Sequence, residues 1–498
     1  MTKWFQISQR QRVSPFPNYF SMESVTKEMK GVIGYCYHNV LLIFQNNTFW
    51  VFFDKKEHDN LGGKVLKVIL KEPELFKNLI SKEKKFARTF LGFIKQYRRQ
   101  ASQLSNVKLP AIHQRYEREY KRIYAHYFVI LAVENFLMNY LKNYLEKTAD
   151  GSRQSVDYLN TLISDRRAFV LAKERLAALK LAVRIKSRNT WLEYFKTGNA
   201  GRIEEKVKND PGLCKLFKRH ENNYFWITRD YDDSVLTFSD FIKRAKKLIN
   251  QNPVAEIEKI TKESIALNKK QRQIEKEIQL DRYHQKLFQT MRDGMYLKEL
   301  RKMIVSQSLY YYDPILIEIG KRGGLSLNQV RHLLTSEIKE LLLKNKDYAA
   351  AANERIKLSV YWAKNGSTKV LVKKKALLLC RQLLPSPSVA KEIQGFPASP
   401  GVALGKVRIV MHPWECAKLK AGEILVTVQA VPSFSSAIQR AAALVADGGT
   451  GITSHPATLA REAGIPCVTG AKVATKLLKN GDLIEVNGGQ GTVKIIKK

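Results

Sequence analysis

A histidine near the C-terminal end of the chain stands among residue types that could handle a phosphoryl group. The segment DGGTGITSHPATLAREAGIPCVTG, residues 447–470, combines a glycine-rich turn, two hydroxyls and His455, and Pro456 follows at once. Proline is favoured in the first helical turn, because its missing N–H would have no partner there. His455 is therefore predicted at a helix N-terminus, where backbone amides and the helix dipole favour an anionic group. Covalent transfer of a phosphoryl group through the histidine fits this setting.

The same segment carries a family resemblance. ITSHPATLAREAGIPCVTG resembles the signature of phosphoenolpyruvate synthase, pyruvate phosphate dikinase, rifampicin phosphotransferase and their relatives. GFPASPGVALGKVRIV (395–410) is similar to the family's first strand and turn, GEILVT (422–427) to its next strand, and residues 471–496 to its closing hairpin. Residues 395–498 are therefore identified as a phosphohistidine swivelling domain with an α/β fold.

This resemblance implies that His455 takes a phosphoryl group at an ATP- or phosphoenolpyruvate-binding site and, after the domain swings, passes it to an acceptor. Residues near His455 would stabilise the phosphoryl group. Thr453 and Ser454 would do so through their hydroxyls, Gly449 and Gly451 by forming a cradle, and Arg461 through its positive charge. Arg461 could instead pair with a neighbouring carboxylate. The resemblance implies no cofactor or metal ligand in the swivelling domain itself, and Mg²⁺ with ATP or phosphoenolpyruvate at the donor site.

Two positions depart from the family pattern. Pro456 stands where relatives usually have alanine, and residues 430–433 read Ala-Val-Pro-Ser where relatives carry Thr-x-Pro-Asp. The proline is compatible with a helix start, whereas the second change removes polar groups that could contact the donor or acceptor site.

The rest of the chain is predicted to be mostly helical, with a small β element. Residues 31–54 read as strands around an Asn46-Asn47 turn. Apolar spacing predicts long helices over residues 121–145, 166–188 and 253–280, and Asp313-Pro314 predicts a turn. Composition suggests four segments, with bounds 1–64 (strand-containing), 65–380 (basic and helical), 381–394 (linker) and 395–498 (swivelling domain).

The first 394 residues show no recognisable phosphoryl-donor site. They contain no GxxxxGK[ST] loop, no protein-kinase motif set and no dinucleotide fingerprint. The helical pattern also does not resemble an ATP-grasp domain or a phosphoenolpyruvate-binding barrel. We therefore expect the donor site on a separate chain, either an ATP-grasp or a phosphoenolpyruvate-binding protein.

Two central segments, residues 220–233 and 297–334, faintly resemble the helical parts that accompany swivelling domains in rifampicin-phosphotransferase-like proteins. They suggest a basic, aromatic face that could bind a phosphorylated or aromatic small-molecule acceptor. Its candidate residues are Arg292, Lys298, Arg301 and Tyr310. Alternatively, Tyr310 to Tyr312 belong to the core and the lysines form a solvated face.

Charge, cysteines and hydropathy set further limits. The chain has 85 Lys plus Arg and 46 Asp plus Glu, a formal net charge of +39. Such an excess attracts nucleic acid or other polyanions, although charge describes association rather than fold. Five scattered cysteines without a CxxC pair suggest neither a disulfide framework nor a zinc site. With no signal peptide and no membrane-length apolar run, the predicted location is the cytoplasm.

Three hypotheses follow from the sequence. In the first, the protein is a phosphotransferase component, with His455 as carrier and the helical region as acceptor-binding domain. In the second, the swivelling domain is catalytically silent and the basic helical region binds nucleic acid or another polyanion. In the third, an unrecognised donor site lies in the first 390 residues.

Overall fold

The computed structural model divides into two compact units. It describes residues 3–11, 13–45, 48–148, 152–167, 170–196, 198–229, 235–384, 392–431, 434–449 and 454–497. The first unit, which we call the sheet unit, comprises Met1–Leu61, Gln100–Ala125 and Asp313–Lys498. The second, which we call the helical unit, comprises Gly62–Arg99 and His126–Tyr312. The four segment boundaries predicted from composition stay predictions, and residues 385–391 of the predicted linker lie outside the described residues.

Helices make up most of the described chain. In chain order they are α1 Pro15–Val25, α2 Lys30–Ile33, α3 Lys55–Lys71, α4 Leu75–Arg98, α5 Lys108–Thr148, α6 Ser152–Ile163, α7 Val170–Lys186, α8 Asn189–Lys196, α9 Ala200–Asn209, α10 Pro211–Tyr224, α11 Phe238–Ile249, α12 Pro253–Glu277, α13 Arg282–Arg322, α14 Leu327–Val330, α15 Thr335–Lys344, α16 Ala349–Lys357, α17 Lys373–Leu383, α18 Ser435–Ile438, α19 His455–Glu462 and α20 Ala474–Leu477. The three long helices predicted from apolar spacing are confirmed as α5, α7 and α12.

The turn predicted at Asp313-Pro314 is wrong, because Pro314 lies inside α13. Proline in a helix interior removes one backbone hydrogen bond and crowds the preceding turn. Here Tyr312, Ile315 and Leu316 are all fully buried, so the apolar face of the helix continues across the proline. Burial of such side chains stabilises by roughly 1.5–3 kcal/mol each, which offsets the cost of one proline.

The first sheet has five antiparallel strands in the order β1-β3-β2-β4-β5. Its strands are β1 Trp4–Gln11, β2 Asn39–Gln45, β3 Thr48–Asp54, β4 Leu358–Lys364 and β5 Ser367–Val372. The strands predicted in residues 31–54 are confirmed over residues 39–54 as the β2–β3 hairpin, whereas residues 31–33 belong to α2. The predicted turn residues, Asn46 and Asn47, lie outside the described residues. Strands β4 and β5 lie in a stretch that had been predicted to be helical. Their turn is Asn365-Gly366, both with positive φ, which is the pair that favours a two-residue hairpin turn.

The second sheet has eight strands in the order β6-β13-β12-β8-β9-β10-β11-β7. Its strands are β6 Glu392–Gln394, β7 Phe396–Ser399, β8 Val402–Ile409, β9 Ile424–Thr427, β10 Ala443–Ala446, β11 Cys467–Thr469, β12 Leu483–Asn487 and β13 Thr492–Lys497. The central strands β8, β9, β10 and β11 are parallel. Helices α18 and α19 cover one face of this sheet and α20 the other. The predicted C-terminal α/β domain is therefore confirmed, and we refer to residues 392–497 as the C-terminal domain.

Candidate functional site

The segment between β10 and α19, residues 447–454, precedes His455, and we call it the histidine loop. It begins where the central strand β10 ends. Asp447, the first residue after β10, is fully buried and accepts hydrogen bonds from the backbone amides of Ala474 (2.6 Å) and Thr475 (3.2 Å) and from the Thr475 hydroxyl. Burial raises the pKa of Asp447 to about 6, whereas the donors of Thr475 and Ala474 act in the opposite direction. The carboxylate caps the start of α20 and thereby anchors the chain at the point where the loop leaves the sheet.

Two glycines then allow close approaches that no side chain would permit. The Gly448 amide donates to the Val428 carbonyl oxygen at 2.7 Å. A Cβ added at Gly448 would stand 2.6 Å from the carbonyl oxygen of Gln9, a residue of β1. Gly449 has a φ of +81°, and a Cβ there would stand 3.3 Å from Cβ of Ser454. The loop therefore returns to its own starting point, beside Gly449, before the helix begins.

Helix α19 begins at His455, as predicted. Ser454 is its N-cap residue, with an extended backbone, and its carbonyl oxygen accepts from the Thr458 amide at 3.0 Å. Buried Ala457 and Ala460 fix the helix against the sheet. The first-turn amides of a helix lack partners within the helix and carry its positive dipole end. His455 therefore stands at a position that stabilises an anionic group. Thr453 and Gly451, two further predicted site residues, lie outside the described residues.

Three buried hydroxyls surround this loop. Oγ of Ser454, Oγ1 of Thr427 and Oγ1 of Thr469 are inaccessible to solvent, and in the described residues none has a hydrogen-bond partner. Thr427 ends β9 and Thr469 ends β11, so the two flank β10 at its carboxyl end. Strand alternation places both on the sheet face that α19 covers. A buried hydroxyl without a partner is costly, typically about 1–3 kcal/mol, and is rare in the absence of a ligand role.

Sequence reasoning missed Thr427 and Thr469. Each threonine is the last residue of a short apolar run, ILVT or CVT, and these two runs flank the strand that precedes the histidine loop. A polar residue at the carboxyl end of a parallel strand is a common position for a ligand-binding group in open α/β sheets. That pattern could have indicated both residues.

Comparison with known proteins agrees with this geometry. Residues 419–491 match the family described as PEP-utilising enzyme, mobile domain. The chain carries the mobile domain of PEP-utilising enzymes. A probable phosphoenolpyruvate synthase of Archaeoglobus fulgidus is 46% identical over 101 residues, which are 20% of this chain and 13% of that protein. The phosphoenolpyruvate synthase of Pyrococcus furiosus is 48% identical over 101 residues, 20% of this chain and 12% of that protein.

A further relative is the uncharacterized phosphotransferase YvkC of Bacillus subtilis, 40% identical over 106 residues. This match covers 21% of the present chain and 13% of that protein. The chain thus matches only about an eighth of the length of these curated relatives. The family match covers residues 419–491, which lie within the C-terminal domain.

Arg461, predicted to balance phosphoryl charge, makes a defined contact inside the mobile domain. Its Nη1 donates to the carbonyl oxygen of Ala398 at 3.0 Å. Burial lowers the pKa of its guanidinium. It follows His455 by six positions, which places it about 120° around the helix from the histidine. The hydrogen bond joins α19 to β7, and a role of Arg461 in binding phosphoryl oxygens stays a prediction.

The four predicted acceptor-binding residues all lie on α13, but each contacts neighbours of the helical unit. Arg292 is buried and donates to the Leu162 carbonyl oxygen and to Oε1 of Gln289. Lys298 forms an ion pair with Glu134 at 2.8 Å. Arg301 lies over the ring of Tyr127 at 4.2 Å.

Tyr310, the fourth, packs against Phe225 with ring centroids 4.7 Å apart. In all four residues the side chain thus makes a packing contact, a hydrogen bond or an ion pair within the helical unit. An acceptor-binding role for the four residues therefore stays a prediction.

Within the described residues, no group of three or more His, Cys, Asp or Glu side chains comes close enough together to hold a metal ion. In the same part of the chain, none of the helices combines the length and the apolar character needed to cross a bilayer.

Proposed function

We propose that this protein is a phosphotransferase component in which His455 carries a phosphoryl group. The donor in this proposal is ATP or phosphoenolpyruvate, bound with Mg²⁺ by a separate chain, and the acceptor is a small molecule. The observation that carries the proposal is the surrounding of His455. It starts α19 in a PEP-utilising mobile domain, and the partnerless buried hydroxyls of Thr427, Thr469 and Ser454 lie around the same loop.

The proposed reaction has two displacements at phosphorus. A ring nitrogen of His455 attacks the donor phosphorus, so that a P–N bond forms while the donor's P–O bond breaks and the leaving oxygen keeps the electron pair. The ring then releases its N–H proton to solvent. An acceptor oxygen next attacks the phosphohistidine, the P–N bond breaks, and the ring recovers its electron pair and takes up the proton that the acceptor loses.

The residues of this chain would position the phosphoryl group rather than supply further covalent chemistry. Hydroxyl and amide donors held in a buried place stabilise charge without having to reorganise during the reaction. Gly448 and Gly449 let the loop approach its neighbours closely, while Asp447 anchors its start. A cytoplasmic location belongs to the same proposal, because ATP and phosphoenolpyruvate are available there.

The test is phosphorylation of the full-length protein. Purified wild type is incubated with Mg²⁺ and ³²P-labelled ATP or phosphoenolpyruvate, with and without lysate of its source. Label that is acid-labile and base-stable is then measured. We expect label on wild type and complete loss in His455→Ala, and we expect the labelling to require lysate if the donor is a separate chain.

The matched control is His412→Ala, which removes another histidine of the C-terminal domain. It should label like wild type. Label that persists in His455→Ala would assign the chemistry to another residue. Absence of label on wild type under every condition would overturn the carrier function.

A further inference from the structure

One face of α4 carries a row of cations. Lys84, Arg88, Lys95 and Arg98 lie within about 80° of one another around this helix, and Arg99, its C-cap, continues the same sector. We call these five residues the basic stripe. It extends over about 22 Å along the helix axis, at 1.5 Å per residue. A neighbouring face of α4, which runs from Phe76 to Ile94, is apolar and buried.

Tyrosine rings of α13 lie directly under these cations. Nζ of Lys84 is 5.1 Å from the Tyr296 ring centroid, and the guanidinium carbon of Arg98 is 4.7 Å from that of Tyr310. Nζ of Lys95 is 4.6 Å from the Tyr311 ring centroid. The steps from 84 to 98 and from 296 to 310 are both 14 residues. Helices α4 and α13 therefore run alongside each other in the same direction, with basic groups and rings in register.

The described residues supply no carboxylate that neutralises the positive charge of the basic stripe. Within the described residues, no carboxylate lies in ion-pair range of any of its five members. Glu83 is the one acidic residue between positions 75 and 99, and it is buried against His126 on the other face of the helix. Lys173 adds a cation 5.9 Å from the Tyr296 ring centroid. Arg167 lies 4.2 Å from the same centroid, but it is paired with Asp165 and Asp293.

Cations interleaved with partly exposed aromatic rings fit a single-stranded nucleic acid. The cations meet successive phosphates, and bases stack on arginine planes or on the ring faces that the cations uncover when they turn to the phosphates. A lipid surface fits less well, because an amphipathic helix binds a membrane through its apolar face, and that face of α4 is buried. A duplex keeps its bases stacked on one another, so it would leave the tyrosines without a role.

We propose that the basic stripe and Tyr296, Tyr310 and Tyr311 form a binding surface for single-stranded nucleic acid. This proposal does not depend on the phosphoryl-carrier function, since all of its residues belong to the helical unit. Nucleic acid binding could therefore exist with or without phosphorylation of His455.

The test is fluorescence anisotropy of a labelled, mixed-sequence single-stranded oligonucleotide with the full-length protein over a salt series. The variant Lys84→Gln/Arg88→Gln/Lys95→Gln/Arg98→Gln removes four cations. Since each phosphate contact contributes about −0.7 to the salt slope of single-strand binding, the slope should become shallower by about 3. At about 0.15 M salt this corresponds to roughly a hundredfold weaker binding.

The matched control, Lys180→Gln/Arg184→Gln/Lys215→Gln/Lys218→Gln, removes the same charge from exposed positions of α7 and α10 in the same unit. It should retain most of the affinity. Equal loss in both variants would overturn the proposal and leave only a net-charge effect. Circular dichroism of both variants checks folding, and the single variant Arg98→Gln provides a milder version of the same comparison.

Two competitors distinguish other partners. We expect a duplex of the same sequence, and vesicles of phosphatidylcholine with phosphatidylserine, to compete more weakly than the single strand. Tighter binding of the duplex or of the vesicles, or no binding of the oligonucleotide by wild type, would overturn the assignment to single strands.

Discussion

The histidine loop and the basic stripe are both suited to anions, but they meet negative charge with different groups. At the histidine loop the groups are neutral, buried and fixed: hydroxyls of Thr427, Thr469 and Ser454 and the first-turn amides of α19. On the basic stripe they are cations on long, mostly exposed side chains. Fixed dipoles stabilise charge at one point with little sensitivity to salt, whereas exposed cations are screened within about 10 Å.

This difference separates two tasks. A carrier must hold one phosphoryl group at one place and then release it, and a permanent positive charge beside it would hold the group too firmly in both states. A surface for a long polyanion needs many weak contacts at tolerant positions. Changes in the histidine loop should therefore alter stability and transfer, while changes in the basic stripe should alter salt-dependent binding alone.

The largest effect is expected from Gly448→Ala. The new Cβ would stand 2.6 Å and 3.1 Å from the backbone oxygens of Gln9 and Val428, which cannot move aside like a flexible side chain. Overpacking of this kind costs about 1–3 kcal/mol or more, and labelling of His455 should fall with it. Denaturant unfolding and the ³²P assay measure both.

Gly489→Ala is the matched control for that change, because the nearest atom to its new Cβ, Oδ1 of Asn487, is 3.5 Å away. If Gly448→Ala is as stable and as readily labelled as this control, the close packing of the histidine loop against β1 does not matter.

An effect of similar size concerns pH. The native pKa of Asp447, about 6, exceeds that of an unfolded aspartate, so the folded state binds the proton more tightly. Its stabilising contribution is complete below about pH 4 and is lost as pH rises through about 6, a change of about 3 kcal/mol. The unfolding free energy of wild type relative to Asp447→Asn should fall accordingly over this interval, measured by urea titration at each pH.

Asp482→Asn is the control, because it removes another buried carboxylate of the C-terminal domain. Its unfolding free energy as a function of pH shows how much change a buried carboxylate causes at a different site. A difference between wild type and Asp447→Asn that does not change between pH 4 and pH 7 would mean that the Thr475 and Ala474 donors compensate burial.

How much of this could be inferred from the chain alone depends on the range of the interactions. The start of α19 and the β2–β3 hairpin are set by neighbouring residues and were predictable. The local signals are Pro456 for the helix and two continuous runs of β-branched and aromatic residues for the strands. The β4–β5 hairpin has an equally local signal, because Asn365-Gly366 favours a two-residue turn. The surrounding helical pattern led to a helical prediction for this stretch instead.

Non-local arrangements were not accessible in the same way. Thr427 and Thr469 are 42 residues apart and become neighbours of β10 only through strand order. Amphipathic spacing identifies helices but not the register between α4 and α13, so Lys84 could not be placed over Tyr296. For the same reason Arg292 was interpreted as a surface residue, although it is buried against Leu162.

Removal of a buried hydroxyl should affect the free energy of unfolding and the rate of phosphoryl transfer differently. Thr469→Val removes a partnerless hydroxyl while keeping the shape of the side chain, so the unfolding free energy should stay equal or increase by up to about 1 kcal/mol. If the hydroxyl binds a phosphoryl oxygen, the rate of phosphoryl transfer should fall by about tenfold to a hundredfold, since a hydrogen bond to a charged group contributes about 1.5–3 kcal/mol. Thr427→Val should behave likewise. Rapid-quench labelling and thermal unfolding give the two readouts.

Thr492→Val in β13 is the matched control, since it changes a buried threonine that β12, β8 and β9 separate from β10. Transfer at the wild-type rate in Thr469→Val and Thr427→Val would remove these hydroxyls from the proposed site and leave the amides of α19 to stabilise the phosphoryl group.

The smallest effect is expected from substitutions of Tyr296, which test whether its ring stacks on a base or only packs under the lysine side chain. Tyr296→Phe keeps the aromatic face under Lys84 and Arg167, so oligonucleotide affinity should be unchanged. Tyr296→Leu keeps apolar bulk but removes the face, and affinity should fall by about tenfold, since stacking contributes about 1–3 kcal/mol per base. The salt slope should be the same in both variants, because no cation is removed. A steeper or shallower salt slope in Tyr296→Leu would mean that the ring acts by positioning the cations rather than by stacking on a base. The basic stripe would then bind through its charges alone, in full contrast to the neutral groups of the histidine loop.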